Sequence, residues 1–432
     1  MNSIFLFADQ MHKYAMGSVS PFVKTPHLDA LAAQGTRFDR CYSNNPVCTP
    51  YRGILLTGQL SQSCGVKRNN EPLPDNVPAL ADAFNRAGYE TSFVGKWHIG
   101  GNGNGPIPKE LRGGFKHFTG YQCYNGFYKD VCFYDEEDRE NRFDEHREDV
   151  CTRYIIEHIK KMHKTGKPFL QVASFQAPHY PEQPPPEYAA LYSDKEIPLP
   201  PDHIDICPYT PTFAPPSPRP FEDCPDYQNY GGNMQKYLQL YYAMVTHIDD
   251  CVGKILAVLD ELGIREETNI FFSSDHGDMQ GSQGLKNKCL PYERSCGIPF
   301  IANIPGGKKG QISLAPVSAV DVYPSLLSLH GLPGEKHLEG YDFIPILHGK
   351  EIDVPPVFCE NYLPAQLTHD SPEKFQWKMV CDGRYKFTMS WEDKKPRLLF
   401  DLDKDPYEME NLIGKSPEIE DRFEKLIINY FK

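Results

Sequence analysis

The sequence predicts an α/β fold, a large central and mostly parallel sheet flanked by helices, with a smaller antiparallel subdomain at its C-terminal end. Three observations predict it. Short apolar runs alternate with segments of helical spacing up to about residue 330, the pattern of strands joined by crossover helices. Two of those runs, "SIFLFAD" and "NIFFSSD", end in carboxylates, Asp9 and Asp275, at the strand ends where open α/β sheets hold ligands. After residue 350 the alternation gives way to two short runs around an Asp-Gly pair, a hairpin signal. The expected division is residues 1–350 for the α/β domain and 351–432 for the subdomain.

The elements follow in chain order. Residues 3–9 are an apolar strand, and "TPHLDALAAQG" (25–35) is a helix with Thr25 at the N-cap, Pro26 at its first position and Gly35 at its end. "VPALADAFNRAGY" (77–89) has helical spacing and "TSFVGKW" (91–97) continues as a strand. "KPFLQVASFQ" (167–176) is a buried strand, and residues 235–262 form a long helix closed by Gly263. The strand 269–275, a short strand in "IPFIANIP" (298–305) and the helical "VSAVDVYPSLLSLHG" (317–331) complete the series. Two stretches interrupt it. Residues 99–147 are rich in Gly, aromatics and charge, and 180–232 carry proline at a density no helix or central strand tolerates. Both are expected to be binding walls, ahead of the alternative of disordered segments. In the tail, "WKMVCDGRYKFTMS" reads as two strands, then "RLLFDLDKDP" and a terminal helix over 416–431.

Composition narrows the function. The net charge of −13 and pI near 5.6 argue against nucleic acid or an acidic membrane as a bulk partner. No apolar run is long enough to span a membrane, and the start lacks the basic flank and cleavage site of a signal peptide. Localisation stays open between the cytoplasm and, had a leader been removed, the periplasm or exterior. Thirteen cysteines without a CxxC pair fit free buried thiols, with a few disulfides possible, better than a zinc ribbon.

Chemistry concentrates at the predicted strand ends. Asp9, Asp275 and His276, with Gln10 as a neutral oxygen donor, suit a hard divalent cation. Taken singly, each acid reads as a helix cap or loop hydrogen bond. "GKWHIGG" puts Lys96 and His98 just past a strand, "QAPHYP" puts His179 in a turn after another, and "GLKNKCLPYERS" offers Lys286 and Lys288. A lone lysine is ordinarily a solvated charge and a lone histidine a satisfied core ring. Here they share one expected face, and a metal ringed by cations describes a pocket for a tetrahedral anionic ester. Between the first strands sits Cys48-Thr49-Pro50-Tyr51-Arg52, a thiol two residues before a helix-starting proline with a fixed positive charge one turn on.

"CTPYRGILLTG" resembles the C-x-P-x-R…TG signature of the type I sulfatases, formylglycine-dependent members of the alkaline phosphatase superfamily. The order "FADQ", "TPHLDALAAQGTRF", "GKWH", "APHYP", "SSDHGDM" and "GLKNKCLPYERS" is collinear with that family across residues 3 to 305, and "LFDLDKDPYEMENL" (399–412) resembles its closing region. The resemblance implies an alkaline-phosphatase-like sheet and oxidation of Cys48 to formylglycine by a maturation enzyme that reads the motif. The hydrated aldehyde would attack sulfur through one hydroxyl and expel sulfate by ionising the other. It also implies Asp9, Gln10, Asp275, His276 and residue 48 as ligands of one divalent cation, calcium first, with manganese or magnesium as alternatives. Arg52 would stabilise the ionised diol, Lys96 and Lys288 (Lys286 as fallback) would clamp sulfate oxygens, His98 would assist the diol, and His179 would serve the leaving oxygen. Gln10 stands where many members have a second Asp, and "GSQG" (281–284) lacks a frequent histidine. The expected activity is hydrolysis of a sulfate ester, with a sulfated carbohydrate preferred because of the aromatic-rich stretch 115–134. Alternatives are a phosphonate monoester or phosphodiester hydrolase, a choline or aryl sulfatase, and a non-catalytic glycan binder.

Overall fold

The fold is taken from a computed structural model and described for residues 1–75, 77–204, 233–365, 367 and 373–432. The strands are β1 (Asn2–Asp9), β2 (Thr36–Phe38), β3 (Cys41–Tyr42), β4 (Glu90–Lys96), β5 (His117–Tyr121), β6 (Val131–Tyr134), β7 (Glu140–Phe143), β8 (Phe169–Pro178) and β9 (Thr268–Ser274). They continue with β10 (Gly297–Ile298), β11 (Ile301–Asn303), β12 (Gln311–Ser313), β13 (Val317–Ser318), β14 (Val357–Ala365), β15 (Phe375–Cys381), β16 (Tyr385–Ser390) and β17 (Pro396–Asp401). Ten of them form one sheet in the order β12-β2-β11-β9-β1-β8-β4-β5-β6-β7. The five at its centre, β9-β1-β8-β4-β5, run parallel, and antiparallel pairs appear toward both edges.

Central strands buried on both faces must be apolar on both, and β1 shows how the two cores divide. Phe5 and Phe7 point into a core shared with Tyr51, Ile54 and Leu55 of the helix Cys48–Thr57. Ile4, Leu6 and Ala8 point into the opposite core, built with the helices Arg147–His163 and Met234–Glu261. The alternation is the period-two geometry of a strand.

Several expectations change in detail. Thr25 stands at the N-cap of Pro26–Ala33, but its side chain makes no cap bond. Its hydroxyl instead accepts from Gly17 N and donates to Asp29. Residues 317–331 open with a strand and one 3₁₀ turn before the helix Val322–Leu329. The larger correction concerns 99–147, which is not an open wall. Its aromatic stretch forms β5 and β6, inside the edge strand β7, and Phe118, Tyr121, Phe127 and Phe133 are buried. Arg147, itself buried, lies 4.2 Å over the Tyr121 ring. Rings on such strands gain more from burial than from solvent exposure. The proline-rich 180–232 begins with a short helix, Pro186–Ala190, and from residue 205 lies outside the described residues. The eleven cysteines among the described residues are free thiols.

The tail forms a four-stranded antiparallel sheet, β14-β15-β16-β17. Asp382 Oδ1 accepts from Arg384 N and Tyr385 N at the β15–β16 turn, and Gly383 takes the positive φ that this turn needs. One face carries Val380, Phe387 and Leu399 against Phe423 and Ile427 of the helix Pro417–Tyr430. The other carries Trp377, Met379 and Phe400 against Met279, Leu285 and Leu290. That second contact braces the 279–290 loop, and Trp377 Nε1 donates to the Cys289 carbonyl at 2.9 Å. No helix among the described residues is long and apolar enough to cross a membrane.

Candidate active site

Four neighbouring strands deliver four site residues at their carboxyl ends. In sheet order β9, β1, β8 and β4, these are Asp275 just past β9, Asp9 closing β1, His179 just past β8 and Lys96 closing β4. Parallel strands stand about 4.8 Å apart, so residues far apart in sequence converge. Gln10 and His98 follow β1 and β4 in left-handed backbone, at φ 71° and 55°. Such a conformation costs a non-glycine residue about 1–3 kcal/mol and turns the chain sharply at the strand end.

Above these ends the helix Cys48–Thr57 points its N-terminus at the cluster. Cys48 is its first residue, so Pro50 occupies the third helical position and not the first. Tyr51 packs on Phe7, and the Arg52 guanidinium lies 5.0 Å over the same ring. The loop after β9 supplies Lys288, between Asn287 and Cys289, both in left-handed backbone.

The contacts are tight. Cys48 Sγ is 3.1 Å from His276 Nε2, 3.4 Å from Lys288 Nζ and 3.7 Å from Asp9 Oδ1. Lys96 Nζ donates to Asp9 Oδ2 at 2.6 Å. Arg52 bridges Asp9 and Asp275, 3.2 Å from each, and anchors to the Lys96 carbonyl and Ser174 Oγ. Gln10 N donates to Asp275 Oδ1, and Lys288 Nζ donates to Gln10 Oε1 at 3.0 Å. Of the two lysines weighed in that loop, it is Lys288 that reaches Gln10 and Cys48. His179 Nδ1 donates to the Tyr180 carbonyl at 2.7 Å, and His98 stands close enough to feel Lys96 and Arg52. The cluster is enclosed, not a surface rim: Cys48 is 1% exposed and His98, the most open of the ten residues, 5%.

Burial and charge set the protonation states. Burial would lift Asp9, but Lys96 holds its carboxyl well below the usual range. Asp275 is pushed up to about 7 by burial and by the neighbouring Asp9 charge. Burial, then Lys288, keeps His179 and His276 neutral, and burial, then Lys96, does the same for His98. Cys48 is pushed up to about 12, by burial first and Asp9 second. An unmodified thiol here is protonated at neutral pH and a poor nucleophile.

Arg52 and Lys96 hold the two buried acids from one side, and the donor atoms that remain are grouped closely enough to take a cation. One ligand atom from each of Asp9, Cys48, Asp275 and His276 can lie within 4.8 Å of the others. Gln10 Oε1 shares Lys288 Nζ with Cys48 Sγ, and with it this oxygen-rich set and one neutral imidazole fit a hard divalent ion. A second group, His146, Asp149 and His247, is equally compact. There, however, both His146 nitrogens are committed, Nδ1 accepting from Glu148 N and Nε2 donating to the Gln183 carbonyl.

Sequence reasoning missed two supports. Asp278, inside "SSDHGDM", accepts from Gln10 Nε2. A carboxylate three residues beyond Asp275 was a visible signal. Glu148 accepts from Gln176 N and Ala177 N ahead of His179, and nothing local in its helix marks it.

Residues 1–332 match the family described as Sulfatase, and residues 281–429 match the C-terminal region of N-sulphoglucosamine sulphohydrolase. The chain is similar to an ulvan-active sulfatase of Formosa agariphila, 30% identical over 97% of this chain and 78% of that protein. It is also similar to an endo-4-O-sulfatase of Bacteroides thetaiotaomicron, 27% identical over 95% of this chain and 87% of the other. The solved structure of a candidate sulfatase, YidJ, from Bacteroides fragilis superposes with a TM-score of 0.83 at 25% identity, covering 99% of this chain and 95% of that one.

Proposed function

The chain belongs to the sulfatase family of the alkaline phosphatase superfamily, and from that premise we propose that it removes sulfate from a sulfated carbohydrate, using Cys48 matured to formylglycine. The observation that carries the reading is the company of Cys48: a neutral imidazole, an ammonium and a carboxylate within 3.7 Å of its sulfur, at a helix N-terminus. That setting disables a thiol, yet it suits a hydroxyl nucleophile made from the same carbon, with the helix dipole favouring its ionised form.

Asp9, Gln10, Asp275, His276 and residue 48 would hold one divalent cation, calcium before manganese or magnesium. When bound, such a cation supplies charge that acidifies a hydroxyl and steadies anionic oxygens. The remaining work falls to the side chains. Lys96 and Lys288 bind sulfate oxygens as fixed charges, and Arg52 holds the two acids in place from behind. His98, kept neutral, accepts the proton whose loss lets the diol collapse and release sulfate. His179 donates through Nδ1 to Tyr180, so Nε2 of the neutral ring is an acceptor. It serves the leaving oxygen after gaining a proton, which the arriving anion favours.

The carbohydrate preference rests on relatives named for ulvan and for endo-4-O-sulfate, and no longer on the aromatic stretch, whose rings are mostly core. In that stretch Tyr128 is the ring left exposed. The catalytic unit is proposed to end near residue 350, with 351–432 bracing the Lys288 loop. A second reading, hydrolysis of a phosphonate monoester or phosphodiester, comes from the family resemblance, in which an Asp-Gln pair like Asp9-Gln10 occurs among phosphonate monoester hydrolases and choline sulfatases alike. The test is kcat/KM of the matured chain on sulfated saccharides, aryl and choline sulfates, and phosphorus esters with matched leaving groups. A higher value for a phosphorus ester overturns the first reading. A peptide mass showing the intact Cys48 thiol in a fully active sample overturns the nucleophile.

A further inference from the structure

We infer that Asp278 is the positioning residue that decides which way round the Gln10 amide stands, so that Gln10 presents oxygen, and not nitrogen, to the cation site. The inference rests on the proposed ligand role of Gln10. Both residues are buried, Gln10 at 2% and Asp278 at 1% exposure, so solvent does not compete for the amide.

Gln10 has two nearly isosteric ends, unlike an aspartate, and something must break that symmetry. Its Nε2 lies 2.9 Å from Asp278 Oδ2 and 3.4 Å from Asn287 Oδ1, while its Oε1 lies 3.0 Å from Lys288 Nζ. A carboxylate only accepts and an ammonium only donates, so reversing the amide would set donor against donor and acceptor against acceptor. Asp278 is itself pinned. Its Oδ1 accepts from Gln280 N and Asn287 N, and its Oδ2 takes the Tyr237 hydroxyl as well as Gln10. The pair also accounts for the departure at position 10. A second carboxylate there would face Asp278 at hydrogen-bond distance with no proton between them.

Asp278→Asn is nearly isosteric and gives a sharp test. Two backbone N–H groups hold the asparagine oxygen on the Oδ1 side, its NH₂ then faces Gln10, and this drives Gln10 to turn its nitrogen toward the cation against the opposing hydrogen bond from Lys288. Calcium and manganese affinities are measured by titration calorimetry on the metal-stripped full chain, with circular dichroism and unfolding midpoints as fold checks. Asp278→Asn is expected to weaken binding by about 10–100-fold, the range for partners that orient a ligand. In the Gln10→Glu background, whose side chain has two equivalent oxygens, the same change should cost nothing or strengthen binding. An unchanged affinity for Asp278→Asn overturns the inference, and so does an equal loss in both backgrounds, which would mark a bulk charge effect. Asp278→Ala, run through the same cycle, serves if the asparagine variant fails to fold. An unchanged affinity in Gln10→Ala overturns the inference through its premise, the ligand role, and not through the orientation.

Discussion

Two clusters in this molecule share a metal-like composition, and they are built differently. Asp9, Asp275, His276 and Cys48 meet at the ends of adjacent parallel strands, held from behind by Arg52 and Lys96. His146, Asp149 and His247 meet where one helix starts beside another. There His146 caps the Arg147–His163 helix, its ring 4.6 Å from that of His247, and His247 Nε2 pairs with Asp149 at 3.2 Å. In the second cluster the ring nitrogens of His146 serve the fold. In the first, two buried acids are pressed together at a cost that a bound cation would relieve. Residue types alone do not separate the two; what their lone pairs already hold does.

The sharpest way to break the comparison is at the nucleophile. Cys48→Ala is expected to lower kcat/KM of the matured enzyme by at least about a thousandfold with little change in unfolding temperature. Asp149→Asn should leave kcat/KM within about twofold, because nothing in its contacts reaches the strand ends. Equal losses in the two variants would erase the distinction.

Asp9→Asn comes next. It leaves Lys96 buried without its counter-charge and Arg52 with Asp275 as its remaining carboxylate, and breaking such a pair costs about 3–5 kcal/mol, read as a shift in denaturant midpoint. His276→Ala should weaken calcium or manganese binding by at least about tenfold, whereas His247→Ala should leave affinity and stoichiometry alone. A second metal equivalent lost in the His247 variant would show that both clusters bind.

The smallest expected effect is a pH slope from the second cluster. Burial, then His247, pushes His146 down to about 3, while the unfolded residue titrates near 6.5. Between those values the unfolded chain binds more protons, so this group's contribution to stability is intact above about 6.5 and shrinks as pH falls toward 3. The slope is about 1.4 kcal/mol per pH unit. His146→Asn keeps a capping residue and removes the titration, so its midpoint difference between pH 5 and pH 7 should narrow. An unchanged difference would assign the slope to other groups.

Much of the fold was legible because its signals are local. Apolar runs closed by Asp9 and Asp275, the Pro26 start and the Asp382-Gly383 turn are written in neighbouring residues, and each has a direct backbone consequence. The aromatic stretch 115–134 misled because ring content does not say which side of a strand will be covered. Phe118, Tyr121 and Phe133 went inside once Arg147 and the sheet edge gave them partners. At the site, residue types and their order were readable, but not the roles of Asp278 and Glu148. Both act through a hydrogen bond to a residue remote in the chain.

The sequence by itself determined the strand-and-helix alternation, the placement of Asp9, Lys96, His179 and Asp275 at or just past strand ends, and the Cys48-to-Arg52 motif at a helix start. Only the tertiary structure decided that these ends lie side by side in the order β9, β1, β8, β4, that Lys288 reaches the Cys48 sulfur, and that Gln10 turns its Oε1 to Lys288 and its Nε2 to Asp278. The physical reason is range. Backbone propensity and periodicity act over a few residues, whereas strand order, burial and the direction of a hydrogen bond depend on groups hundreds of positions apart that meet only when the sheet closes.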